Sequence, residues 1–126
     1  MQNDHGIPDG RLLARTDDHV ELELFLPESS DFFDGHFPQF KLLPAVGQFE
    51  IVTRLARSHF KLKNGITHIR RMKFSSPIFP NSRLLLTMDL DRKKHTVTFS
   101  LADFLDRDKL YSSGIFSATE AIAEAT

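Results

Sequence analysis

The chain has 126 residues, enough for one domain around a single core, and its 40% apolar and 26% charged residues are ordinary globular composition. A formal net charge of -1 gives no electrostatic basis for binding nucleic acid or an anionic membrane, and no apolar run approaches the roughly 20 residues of a membrane span. The absence of cysteine excludes a disulfide framework, a thiol nucleophile and a cysteine-based metal site, and the polar start MQNDHGIPDG lacks the apolar core of a secretory signal, so a reducing, cytoplasmic setting is expected.

Residues 1–10 read as a flexible lead to a single domain. Arg11 to Ala14 is a short strand. Val20 to Leu26 is a clear one, with Val20, Leu22, Leu24 and Leu26 on one face and Glu21 and Glu23 on the other, until Pro27 ends it. The loop from Glu28 to Lys41 carries Phe32, Phe33, Phe37 and Phe40 around His36. Pro44 suits the first turn of a helix, where its missing N–H costs nothing. Ala45 to Phe60 then reads as about four helical turns. Ala45, Val46, Phe49, Val52, Leu55, Ala56 and Phe60 form one broad apolar arc, leaving Glu50, Arg54, Arg57 and Ser58 on the narrow remainder. So wide an arc predicts a helix wrapped by other structure. The helix is expected to end near Lys61 to Gly65, with Asn64-Gly65 as the stop.

Ile66 to Phe74 is the next strand. Ser75 to Ser82 is a loop, because Pro77 and Pro80 cannot donate to a ladder. Arg83 to Leu90 alternates with Leu84, Leu86, Met88 and Leu90 inward. After a charged turn at 91–94, Thr96 to Leu101 places Val97, Phe99 and Leu101 on one face. A second turn at 106–109 precedes a last strand, Leu110 to Ala118, and residues 119–126 form a tail. The cationic clusters Arg70, Arg71, Lys73 and Arg92, Lys93, Lys94 read as solvated strand ends. Apart from the short first strand, the order is strand, long helix, then four strands. The only surface large enough to bury the helix is the sheet, so the fold class is α+β.

The densest chemistry lies between Phe32 and Glu50, reading FFDGHFPQFKLLPAVGQFE. Asp34-Gly35 makes a turn, Pro38 keeps His36 on irregular backbone, and Glu50 follows the histidine by fourteen residues. From spacing alone, His36 is more often structural or exposed than catalytic, and Glu50 is an ordinary surface partner for Arg54. The histidines show no His-x-His or HExxH spacing, so no metal is expected.

Gly35-His36-Phe37-Pro38, Leu43-Pro44 and Glu50 together resemble the active-site segment of the FabA/FabZ-type 3-hydroxyacyl-ACP dehydratases, and the wording GHFP…LLP-x-V-x-Q is most similar to the aryl-polyene dehydratase branch. Met72 to Pro80 is similar to the family's KF-x-x-P-x-x-P strand and turn. The resemblance implies a hot-dog fold, in which a curled antiparallel sheet wraps one long helix. It also implies a cofactor-free dehydration of 3-hydroxyacyl chains on an acyl carrier protein, in fatty-acid or aryl-polyene-type synthesis, at a site shared by two subunits of a dimer.

Residue by residue, His36 matches the catalytic histidine and Glu50 the catalytic acid. Ala45 stands where a glycine N–H usually binds the thioester oxygen. Val46, Pro44, Phe33 and Phe37 fall where substrate would be contacted. The carrier is acidic, so Arg70, Arg71 or Lys73 could serve as its dock. Three positions depart from the pattern: Lys41 for a proline, Ala45 for the glycine, and Asn81-Ser82 for a Pro-Gly. A hot-dog thioesterase and a non-catalytic hot-dog subunit are the alternatives.

Overall fold

The structure, a computed structural model, describes residues 10–27, 45–62 and 67–118. Among these residues there are six strands and one helix: β1 (Arg11–Arg15), β2 (His19–Leu26), α1 (Ala45–Phe60), β3 (Thr67–Phe74), β4 (Ser82–Asp91), β5 (Thr96–Asp103) and β6 (Leu110–Ser117). The strands form one sheet in the order β1-β2-β4-β5-β6-β3, with every neighbouring pair antiparallel. Of the strands adjacent in sequence, β1–β2, β4–β5 and β5–β6 pair as hairpins, whereas the helix separates β2 from β3, and β3 lies at the far edge beside β6 instead of pairing with β4.

The alternation read from the sequence sets which face is buried. Val20, Leu22, Leu24 and Leu26 of β2 lie opposite Met88, Leu86, Leu84 and Ser82 of β4, so the inward leucines form a continuous apolar row. Val97, Phe99 and Leu101 continue it on β5, and Phe116 on β6. The helix lies on this row. Ile51, Val52 and Ala56 have no exposed surface, and Phe49 meets Phe116 edge to face with ring centroids 5.7 Å apart. A curled antiparallel sheet around a long helix is the architecture that the resemblance implied.

The outer face carries charge. Glu23 sits between Arg11 and Arg83, and the His19 ring bridges Asp89 at 2.5 Å and Glu21 at 2.9 Å. Arg92 donates to the backbone oxygen of Asp17. Arg70, Arg71 and Lys73 are exposed on β3.

Three local details add to or depart from what the sequence pattern gives. The helix stops before Asn64-Gly65, which lies outside the described residues. Lys61 takes the left-handed conformation (φ 55°), and the Leu62 N–H bonds back to Arg57 O at 3.1 Å. That is a Schellman closure, and buried Leu62 supplies its apolar contact. The helix also buries more than the apolar arc: Gln48 and Thr53 are covered although polar. Finally, β5 runs two residues past Leu101, because Ala102 and Asp103 pair with Leu85 and Leu84.

Candidate active site

The site is built where the first turn of α1 meets edge strand β3. Ala45 and Phe49, one turn apart on α1, form one wall of an apolar cavity of about 300 Å³. Ile69, Met72 and Phe74 of β3 form the other. Ile69 and Phe74 are half exposed at its rim, whereas Met72 is half buried against the core.

The helix end is tied in place from the side. Buried Gln48 donates from Nε2 to the backbone oxygen of Ser76 at 3.0 Å, joining the first turn of α1 to the loop that follows β3. In that loop Asn81 takes φ 65° while its N–H bonds to Leu26 O at 2.6 Å. Asparagine tolerates the left-handed region better than most residues, so it can hold this turn, at the position where the resemblance has the proline of a Pro-Gly.

The candidate residues separate into three groups. Ala45 is the first residue of α1, half-buried on the cavity wall, and its φ is not positive. The strain that replacing a glycine could bring is therefore absent, and the N–H groups of the first turn have no partners within the helix. Val46 follows it in the same turn. Glu50 lies one residue past Phe49, about 100° further round the axis. Its carboxylate is 46% exposed and accepts from Arg54 one turn on. His36, Pro44, Phe33, Phe37 and Lys41 fall outside the described residues. Among the described residues no group of three or more histidines or carboxylates is placed to hold a metal.

Sequence reasoning assigned no role to Ile69, Met72 and Phe74, which share the cavity with Ala45 and Phe49. Met72 and Phe74 stand in the second matched patch, which was the available signal. Gln48 was visible in the first patch, but only the tertiary contact with Ser76 gives it a role.

A family model described as ApeI-like, ApeI dehydratase, matches residues 13–115. The chain belongs to the ApeI-like dehydratase family. It is 26% identical over 111 residues to a 3-hydroxyacyl-[acyl-carrier-protein] dehydratase FabZ of Streptococcus uberis, covering 82% of this chain and 79% of the relative.

Among solved structures, this dehydratase-family chain is similar to the dehydratase heterocomplex ApeI:P from Xenorhabdus doucetiae. The TM-score is 0.75 at 30% identity, over 90% of this chain and 98% of the other. It is also similar to an uncharacterized protein from Erwinia carotovora subsp. atroseptica, with a TM-score of 0.73 at 27% identity, over 91% and 98%. Lower-identity likenesses, including the dehydratase domain of the CurF module of curacin polyketide synthase at 14% identity, extend the same hot-dog fold. No helix among the described residues is long and apolar enough to cross a membrane.

Proposed function

We propose that the protein removes water from 3-hydroxyacyl thioesters carried on an acyl carrier protein, giving trans-2-enoyl thioesters, in the cytoplasm and without a cofactor. The observation that carries this reading is the apolar cavity at the N-terminal end of α1, walled by the helix's own first residue. A thioester carbonyl seated there meets N–H groups that the helix leaves unpaired, together with the positive end of its dipole. Negative charge that builds on the oxygen as C2 loses its proton is stabilised at that point. The apolar walls accept the alkyl chain.

In this reading His36 is the base. Imidazole has a reference pKa near 6.5, suited to taking a weakly acidic proton at neutral pH. Glu50 delivers a proton to the departing C3 hydroxyl. Water leaves, the C2–C3 double bond forms, and solvent takes the proton held by His36 and returns one to Glu50, which restores both groups. Ala45 and Val46 supply backbone N–H groups, and Pro44, Phe33 and Phe37 contact the chain. Two features support a second hot-dog subunit, a copy of this chain or a related one. Glu50 stands half-exposed on one chain, and β3 is an edge strand bonded on one side to β6. The solved ApeI:P relative is named a heterocomplex, which favours a related chain as the second subunit.

The test mixes the protein with 3-hydroxyacyl and saturated acyl thioesters. Enoyl absorbance from the first alone is expected, and its loss in His36→Ala with the fold retained. Free thiol from both substrates without enoyl absorbance would overturn dehydration in favour of a thioesterase. Wild-type turnover in His36→Ala would favour a subunit without catalysis of its own.

A further inference from the structure

We infer that Met72, lying across Gly114, sets the inner limit of the cavity and thereby the acyl length that the protein accepts; this rests on the cavity being the acyl site. Of the three β3 residues on the cavity, Met72 is the one that also packs against the core, as Phe49 does from the helix. It lies in an irregular part of β3, where the register against β6 shifts between Arg70 and Lys73 and Arg71 takes φ 54°. A bulge of this kind re-aims a side chain.

What Met72 rests on is bare backbone. A Cβ on Gly114 would stand 2.6 Å from Met72 Sδ, 3.2 Å from Met72 Cε and 3.2 Å from Phe99 Cε1. The thioether therefore fills space that a side chain on β6 would need. Phe49, on the opposite wall, is fixed by ring contacts to Phe99 and Phe116. Ile69 and Phe74 stand at the rim. The inner wall is thus an unbranched, three-torsion side chain, adaptable by nature, seated on a glycine.

The cavity's inner end lies at Met72, since Ile69 and Phe74 beside it on β3 are half exposed. A methyl group on residue 114 lifts the thioether off β6, and the cavity is the open space beside it. Shortening Met72 removes the wall.

The test compares wild type, Gly114→Ala, Met72→Ala and the double variant. Each is assayed for kcat/KM with 3-hydroxybutyryl, 3-hydroxyoctanoyl and 3-hydroxydodecanoyl pantetheine thioesters, and for binding of fluorescent acyl pantetheines of the same three chain lengths. Gly114→Ala should lose about tenfold or more on the dodecanoyl substrate, the low end of what a methylene-sized intrusion costs, while the butyryl substrate stays within about twofold. Met72→Ala should shift preference toward the dodecanoyl chain. The double variant should recover the dodecanoyl activity and probe binding that Gly114→Ala loses, because the displaced side chain is gone.

Parallel length profiles in all four proteins, or a double variant no better than Gly114→Ala, would overturn the inference. If Gly114→Ala melts early, Met72→Phe crowds the same space from the other strand and must give the same loss on long chains. Absence of dehydration in every protein would count against the proposed activity instead, and the length dependence of probe binding would still decide the role of Met72.

Discussion

Glu50→Gln separates a catalytic carboxylate from a decorative one, because the structure limits what its loss can cost the fold. The side chain is 46% exposed and pairs with Arg54, 32% exposed and four residues on. Exposed helical pairs at this spacing are worth about 0.3–0.5 kcal/mol, and glutamine keeps both the length and an acceptor oxygen. For a chain of this size such a loss moves the melting temperature by about 1–3 °C. Removing a general acid, by contrast, costs about 10²–10⁴ in rate. The expected variant is therefore nearly as stable as wild type and at least a hundredfold slower in kcat with 3-hydroxyacyl thioesters. Melting curves and enoyl absorbance measured on one preparation suffice. A variant with kcat within a few-fold of wild type would refute the reasoning and return Glu50 to the role of a surface partner for Arg54.

Two further expectations concern the frame around the site. Asn81→Ala should destabilise the protein by about 1 kcal/mol, because alanine pays for the left-handed backbone that asparagine tolerates; Asn81→Gly should cost less, and denaturant melts that rank the two in reverse would remove the backbone argument. The pH dependence of stability should respond to His59. Its Nδ1 accepts from Arg15 at 3.1 Å, and burial together with the nearby guanidinium holds the ring's pKa below its ordinary value. The unfolded chain then binds the proton first, so the stability this residue supplies is complete above about pH 6.5 and is lost as pH falls toward the folded value. His19 acts in the opposite sense. Hydrogen bonds to Asp89 and Glu21 raise its pKa, so its contribution fades as pH rises through the folded value. His59→Gln should flatten the acid side of the stability profile while leaving the alkaline side unchanged. An unaltered acid side would refute it.

Much of this was legible along the chain because burial repeats with the period of each element. Inward leucines alternate through β2 and β4, and the helix from Ala45 to Phe60 follows its apolar arc. The helix bounds were legible to the residue, but the device that closes the helix was not: Lys61 turns left-handed because Leu62 gains burial and a backbone bond there. The candidate site was legible only in part. Glu50 and Ala45 could be named from spacing and resemblance, but the cavity wall could not. Ile69, Met72 and Phe74 read as an ordinary strand until β3 is seen at the sheet edge beside the first turn of α1.

The sequence by itself determined the elements, the faces they bury and the family, since each is written in local periodicity or in a motif of fixed spacing. Tertiary structure decided what lies across from what. Gln48 against Ser76, Phe49 against Phe116 and Met72 over Gly114 join residues far apart in the chain. Such pairings follow from strand order and register, and no local pattern encodes them, because a strand's alternation is the same whichever neighbour it meets.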